Sequence, residues 1–266
     1  MKDQFIALVS AMPVRAAALL SLMCVTTAAE TLPYVALQAD RFRAVIDGKP
    51  VGLYTLRNRN GAEVRITNYG ARIEQVLVPD RTGRLGDVVQ GYESIEQVQG
   101  GQASMGAFIG RFANRIANGR FALDGREYQL ALNSGPNSLH GGEKGSRFQV
   151  FKARQLSPSS VEMTHVFQDG EENYPGTLPL QVVYTLADDN ALMIDFAGMV
   201  VDKATIANFT SHGFFNLSGQ AGTPILEHVL TIDADRFLEV DANAIPTGRL
   251  RDVAGTPLDF RTPTPI

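Results

Sequence analysis

The sequence predicts an all-β protein built as one large antiparallel β-sandwich. The first reason is that, after residue 30, apolar and polar side chains alternate in many short runs, which is the period of a half-buried strand. The second is that polar turn residues separate these runs, in a chain with 25 glycines and 13 prolines. Many strands at short spacing are typical of a sandwich or barrel, and 266 residues can form one such domain.

Three pairs of alternating runs are predicted to form β-hairpins, because each pair flanks a turn signal. Asn60-Gly61 and Asp124-Gly125 are the strongest signals, since both dipeptides accept the left-handed backbone of a tight turn. The polar cluster at residues 188–190 is the third. The paired runs are residues 51–56 with 62–67, 121–123 with 126–130, and 180–186 with 192–196. Further strands are predicted at residues 148–156, 161–167, 225–232 and 236–240, and one short helix at 94–98.

The first 29 residues differ in kind from the rest of the chain. A segment containing Lys2 and Arg15 precedes an apolar run at residues 16–25, and small residues follow at 26–29. This order is typical of a secretory signal, and the apolar run is too short to span a bilayer. The sequence therefore predicts a signal peptide at residues 1–29, a domain at 30–266, and a periplasmic or secreted protein. A buried N-terminal helix is the alternative for this segment.

Composition and motifs exclude several classes of function. The formal net charge is −4 with no block of like charge, which disfavours nucleic-acid binding. The chain has no glycine-rich nucleotide motif and no Gly-x-Ser-x-Gly elbow, and its four histidines are far apart in sequence. The one cysteine, Cys24, lies in the predicted signal, so no disulfide framework is expected. We expect no metal, no cofactor and no membrane contact after signal cleavage; the sequence predicts no oligomeric state.

Two histidines and one Asn-Arg pair stand in unusual surroundings. His140 lies between turn residues and two glycines, which permit close approach of a ligand to the backbone. His212 lies among aromatic residues, whose faces stack on sugar C–H groups, and imidazole exchanges protons near neutral pH. Asn114 and Arg115 carry several donors suited to hydroxyls. Read alone, these segments are also compatible with a turn-capping histidine, a histidine in a core strand, and a salt-bridged loop.

Six blocks of characteristic sequence follow one another over nearly all of the chain after the predicted signal. They are Asn-Tyr-Gly-Ala at 68–71, Gly-Arg-Phe-Ala-Asn-Arg-Ile at 110–116, Asn-Ser-Leu-His-Gly-Gly at 137–142, Gly-Glu-Glu-Asn-Tyr-Pro-Gly at 170–176, Ser-His-Gly-Phe-Phe-Asn-Leu at 211–217, and Ile-Pro-Thr-Gly at 245–248 with Gly-Thr-Pro-Leu-Asp-Phe at 255–260. In this order the blocks resemble the aldose 1-epimerase (galactose mutarotase) family. The resemblance implies a large antiparallel β-sandwich fold and interconversion of the α and β anomers of galactose, glucose and related aldoses without a cofactor.

The resemblance implies a role for five residues. His212 resembles the general acid that protonates the ring oxygen, and His140 resembles its partner near the same oxygen. Asn114, Arg115 and Asp259 resemble residues that bind the hydroxyls of a small aldose substrate.

The resemblance also implies that one group is missing. The family's general base is a glutamate near the C-terminus, and no glutamate of this chain occupies that motif. We therefore expect a C-terminally truncated member whose domain at 30–266 is incomplete and whose sandwich lacks its last strands. A degenerate, non-catalytic carbohydrate-binding sandwich is the alternative. A third possibility, action on hexose 6-phosphates, is disfavoured because the sequence has no additional basic cluster.

Overall fold

The computed structural model describes residues 34–101, 103–220 and 222–266. The signal peptide predicted at residues 1–29 lies outside the described residues. Strands dominate the described part, which has one α-helix, α1, at Ile95–Gly100. None of the helices in these three ranges has the length and apolar character needed to cross a membrane. The short 3₁₀ turns are Ala39–Phe42, Ala117–Gly119, Ser146–Phe148 and Glu171–Asn173.

The strands of the described residues are labelled β1 to β20 in chain order. The first ten are Ala44–Ile46, Lys49–Val51, Leu53–Arg57, Glu63–Thr67, Arg72–Pro79, Leu85–Asp87, Phe108–Ile109, Arg115–Ile116, Arg120–Leu123 and Arg126–Gln129. The second ten are Ser138–Leu139, Lys152–Ser157, Ser160–Phe167, Leu178–Leu186, Leu192–Gly198, Thr210–Ser211, Val229–Leu230, Arg236–Val240, Pro246–Asp252 and Thr264–Pro265.

Two four-stranded antiparallel sheets form the centre of the fold, which confirms the predicted all-β sandwich. One sheet has the order β3-β4-β5-β6 and the other β12-β13-β14-β15. The apolar faces of both sheets share one core, in which Leu56 and Ile66 of the first lie with Val161 and Val182 of the second. Each fully buried aliphatic side chain of this kind contributes about 1.5–3 kcal/mol of transfer free energy.

The three predicted hairpins are confirmed. Strands β3 and β4 pair across the Asn60-Gly61 turn, with Leu53 opposite Thr67. Strands β9 and β10 flank Asp124 and Gly125, whose φ angles of 50° and 73° are the left-handed values that a two-residue hairpin turn needs. Strands β14 and β15 pair across the 188–190 cluster.

Two predicted strands were wrong in extent, and the helix shifted slightly. The strand expected at 148–156 begins at Lys152, because residues 146–148 form a 3₁₀ turn instead. Only Val229–Leu230 of the strand expected at 225–232 pairs, because the His228 N–H donates to the Ile225 carbonyl and turns the chain. The helix predicted at 94–98 lies at Ile95–Gly100, with Ser94 as its N-cap. That the sandwich lacks its last strands stays a prediction.

Removing the hydroxyl of Tyr184 should destabilise the sandwich. This side chain is fully buried in the core, and its hydroxyl donates to the Ala71 carbonyl at 2.7 Å. Tyr184→Phe leaves that carbonyl without a partner, so we expect the free energy of unfolding to fall by about 1–3 kcal/mol in urea titrations. Tyr54→Phe is the control, since the Tyr54 hydroxyl donates to no described residue. Equal losses in both variants would contradict this account.

Candidate active site

A short β-ladder brings two of the sequence motifs together. Strands β8 and β11 pair with Arg115 opposite Leu139, so Asn114 and His140 are neighbours at the end of the ladder. The His140 backbone N–H donates to the Asn114 carbonyl at 3.1 Å. In return the Asn114 backbone N–H donates to Nδ1 of His140 at 3.0 Å. The imidazole is therefore oriented by the residue that precedes Arg115.

The two glycines after His140 allow other parts of the protein to pack closely against the backbone. Gly141 and Gly142 have φ angles of 81° and 101°, which disfavour any other residue. A Cβ at Gly141 would collide with the Gly110 carbonyl oxygen, and one at Gly142 would collide with the Glu172 carboxylate. That a ligand approaches the backbone at these glycines stays a prediction. They let the His140 loop pack against its neighbours.

His212 reaches the same region from another pair of strands. Strand β16 pairs with β7, and His212 follows β16 directly. Its backbone N–H donates to the Ala107 carbonyl at 2.9 Å, and its carbonyl accepts from Gly106 at 2.8 Å. The Phe214 ring stacks on the imidazole with a centroid distance of 5.2 Å. Backbone pairing and ring stacking together fix this side chain.

The two imidazoles meet in an open polar cleft. Their ring centroids lie 5.1 Å apart, and the rings are nearly perpendicular, at 86°. The cleft encloses about 620 Å³, which is enough for a small ligand. Four of the five predicted site residues line it: His140, His212, Asn114 and Arg115. The other lining residues are Ala113, Asn208, Phe209, Thr210, Ser211 and Gly213.

The structure does not bring Asp259 to this cleft. Its carboxylate instead accepts two hydrogen bonds from Arg261, both at 2.8 Å, from Nε to Oδ1 and from Nη2 to Oδ2. These hydrogen bonds hold the pKa of Asp259 below its ordinary value. The partner lies only two residues away, so the local turn holds this carboxylate outside the cleft lining.

His140 is held in its neutral form. Burial lowers its pKa to about 4, and the neighbouring positive charges of His212, Arg147 and Arg115 act in the same direction. Nδ1 accepts the Asn114 N–H, so the proton of the neutral ring belongs on Nε2. At neutral pH this side chain is therefore a hydrogen-bond donor that carries no charge.

Arg111 is a supporting residue that the sequence analysis did not single out. Its side chain is buried, with 1% relative exposure, and it makes four hydrogen bonds. Nη1 donates to the carbonyls of Pro175 and Gly176 at 2.7 and 2.8 Å, and to the Thr205 hydroxyl at 3.1 Å. Nη2 donates to the Gln168 carbonyl at 3.0 Å. The only sequence signal was an arginine placed among apolar neighbours in the 110–116 block.

Glu172 is a second supporting residue that sequence reasoning missed. Its carboxylate accepts the backbone N–H groups of Glu143 at 2.9 Å and Lys144 at 3.0 Å. It thereby attaches the loop after His140 to the turn at 170–176. Glu172 belongs to the sequence block at 170–176, but nothing in the sequence indicated which loop its carboxylate would contact.

Comparison with known proteins identifies the family of this chain. The family profile described as aldose 1-epimerase matches residues 52–266. The chain belongs to the aldose 1-epimerase family.

Within the described ranges no three His, Cys, Asp or Glu side chains could together hold a metal ion.

Members of the family from distant organisms resemble the chain. The galactose mutarotase of Bos taurus is 43% identical over 228 residues, which are 84% of this chain and 66% of that protein. The aldose 1-epimerase of Escherichia coli K12 is 38% identical over 216 residues, which are 81% and 62% of the two chains. An aldose epimerase homologue from C. elegans superposes with a TM-score of 0.76 at 31% identity, covering 81% of this chain and 65% of that one. The chain thus spans slightly less than two thirds of these relatives.

The depressed pKa of His140 gives a testable pH dependence. Since the folded-state pKa is about 4 and an unfolded histidine titrates near 6.5, stability should fall as the pH drops between these values and be unaffected above them. NMR titration of the His140 Cε1–H should show a midpoint near 4. His212→Asn should raise this midpoint, because a neighbouring positive charge is removed. A wild-type midpoint near 6.5 would contradict the assignment.

Removing the Glu172 carboxylate should loosen the loop at 140–145. Glu172→Ala removes both acceptors of the Glu143 and Lys144 N–H groups, and bonds to a charged acceptor contribute about 1.5–3 kcal/mol. Amide hydrogen exchange at these two residues should therefore accelerate about tenfold or more. Glu127→Ala, on an exposed strand, is the control and should leave these rates unchanged. Unaltered exchange in Glu172→Ala would show that the carboxylate does not hold the loop.

Proposed function

We propose that this chain binds an aldose in the His140–His212 cleft and interconverts its α and β anomers. The observation that carries the proposal is the pair of imidazoles 5.1 Å apart in a polar cleft, beside Asn114 and Arg115. Family membership supports it, since relatives such as the bovine protein are galactose mutarotases. Galactose and glucose are the substrates to test first.

The reaction requires one proton to arrive at the sugar while another leaves it. Protonation of the ring oxygen and loss of the anomeric hydroxyl proton break the bond between C1 and the ring oxygen and give the open-chain aldehyde. Rotation about the C1–C2 bond presents the other carbonyl face, and the reverse steps close the ring. A positioned acid or base contributes about 10²–10⁴-fold to such a step.

In this proposal the two histidines both act at the ring oxygen of the sugar. His212 supplies the proton to the ring oxygen, and the stacked Phe214 holds its imidazole in place. His140 stays neutral because its pKa is about 4, and it donates a hydrogen bond from Nε2. A neutral donor stabilises the ring oxygen without repelling the proton that His212 delivers.

Asn114, Arg115 and Phe209 are the proposed sugar-binding groups. Nη1 of Arg115 donates to Oδ1 of Asn114 at 3.3 Å, so the two side chains brace each other. The Asn114 amide N–H groups and the other guanidinium N–H groups remain as donors for sugar hydroxyls. Phe209, whose ring stacks on Phe108 and Phe167 in the core, lines the same cleft and forms an apolar part of its wall for the apolar side of a sugar ring.

The general base is the one group that this scheme does not assign to a residue of the cleft. Among the described residues that line the cleft, none is a carboxylate. We therefore propose that in this chain the anomeric proton leaves to water or to buffer, which makes turnover slow. The alternative is a sugar-binding sandwich without catalysis, and the absence of a lining carboxylate favours it as the second candidate. Binding without rate enhancement would distinguish it.

Polarimetry on freshly dissolved α-galactose tests the proposal. The chain should shorten the mutarotation time in proportion to its concentration, and His212→Asn should lower this rate by about 10²–10⁴-fold by removing the acid. Acetate should accelerate the wild-type chain by acting as the missing base, but not His212→Asn.

His228→Asn is the matched control for this experiment, since His228 lies outside the cleft lining and accepts the Leu217 N–H at its surface position. Its rate should equal that of the wild type. Galactose-induced NMR shifts at the cleft without rate enhancement, with or without acetate, would support the non-catalytic alternative. Undiminished turnover in His212→Asn would reject its role as the acid.

A further inference from the structure

A second cavity lies apart from the histidine cleft and shares no lining residue with it. It encloses about 520 Å³, within the range of about 300–1,000 Å³ typical of small-molecule sites. Its wall is formed by parts of strands β2, β3, β12 and β13 and by Asn68, which follows strand β4. The lining residues that matter below are Lys49, Tyr54, Asn68, Lys152, Thr164 and Val166.

The Asn68 side chain builds the floor of this cavity. Its Nδ2 donates to the carbonyls of Pro50 at 3.0 Å and Phe151 at 2.8 Å, and its Oδ1 accepts from the Gly52 N–H at 2.9 Å. The residue is 2% exposed, and it is the first residue of the Asn-Tyr-Gly-Ala block. One amide therefore ties two separate strands together, and this fixed floor does not depend on a ligand.

The strands that Asn68 joins carry two lysines into the cavity wall. Lys49 precedes Pro50, and Lys152 follows Phe151. Neither ammonium group forms an ion pair with a described residue. Thr164 lies directly opposite Lys152 in the β12–β13 register, so its hydroxyl shares the face of that lysine. The Thr164 hydroxyl donates to the Lys152 carbonyl at 3.5 Å, a long and weak hydrogen bond that a stronger acceptor can replace. Two lysines without ion pairs and this hydroxyl thus line the cavity from three strands.

The lining of the cavity contains no carboxylate. Outside the lining, the Glu171 carboxylate lies 3.6 Å from Nε2 of the buried lining residue His165. A local positive site is unusual in a chain with a formal net charge of −4. The lining also has an apolar and aromatic part, to which Tyr54, Ala153 and Val166 contribute. An occupant should therefore combine an anionic head with a compact uncharged body.

We propose that this cavity binds a small phosphate monoester. Its dianionic head would lie between Lys49 and Lys152, with the Thr164 hydroxyl as a further donor, and its body would rest against Tyr54 and Val166. Phosphate fits better than a carboxylate because two ammonium groups and a hydroxyl match a dianion with three acceptor oxygens. The site is independent of the epimerase chemistry, so it stands or falls separately from the proposed function.

Phenyl phosphate is the probe for the first experiment, because it has no aldose ring and cannot be a substrate of the histidine cleft. We expect its saturable binding, followed by ¹H–¹⁵N NMR, to shift resonances of Lys49, Lys152 and Thr164 while those of His140 and His212 stay in place. Inorganic phosphate should bind about tenfold more weakly, because it lacks the body that contacts Tyr54. Phenol should not bind, because it lacks the anion.

Lysine variants decide whether the two cations form the site. Lys49→Gln with Lys152→Gln should weaken phenyl phosphate binding by about 100-fold, whereas the double arginine variant should retain it. Lys144→Gln, an exposed lysine outside the cavity, is the control and should bind as the wild type does. Unchanged melting temperatures will show that the variants fold. The proposal is overturned if the cavity resonances do not shift, if the double glutamine variant binds normally, or if the control loses binding equally.

Discussion

The buried guanidinium of Arg111 connects the turns from which the histidine cleft is built. It donates to the Pro175 and Gly176 carbonyls, and its planar group lies over the Phe167 ring at 5.3 Å and the Tyr174 ring at 5.6 Å. The backbone of the same residue accepts the Asn208 N–H at 3.0 Å, which places the segment leading to His212 beside it. A buried charge is costly unless it is hydrogen-bonded. Nη1 and Nη2 find their acceptors on these turns, while Nε has no partner among the described residues, so the turns are held by four hydrogen bonds to one side chain.

The backbone around the two imidazoles is held in conformations that isolated residues rarely adopt. Asn114 and His140 both have left-handed backbones, with φ angles of 64° and 54°. Such conformations persist only where surrounding contacts determine them. Here the mutual hydrogen bonds of these two residues and the Glu172 carboxylate supply those contacts. The result is a cleft whose side chains are oriented before any ligand arrives, as acid–base chemistry requires.

The two cavities differ in charge because different strands build them. The histidine cleft keeps His140 neutral by burial and by the nearby positive charges, which suits an uncharged sugar. The second cavity gathers Lys49 and Lys152 over the Asn68 floor, where no carboxylate of the lining offsets them. The sequence analysis found no additional basic cluster, because these lysines are 103 positions apart in the chain (152 − 49). They lie on strands of two different sheets, which only the tertiary structure brings to one cavity.

The sequence by itself determined the all-β class, the three hairpins and four of the residues in the cleft. These features are local: strand alternation and Asn-Gly or Asp-Gly turns act over a few residues, and the motifs around His140 and His212 are contiguous. Asp259 is hydrogen-bonded to Arg261 and does not line the cleft, so its contact with a sugar stays a prediction. Only the tertiary structure decided the contacts of Arg111, Glu172 and Asn68, because each joins segments distant in sequence, and long-range hydrogen bonds leave no periodic signal in the chain.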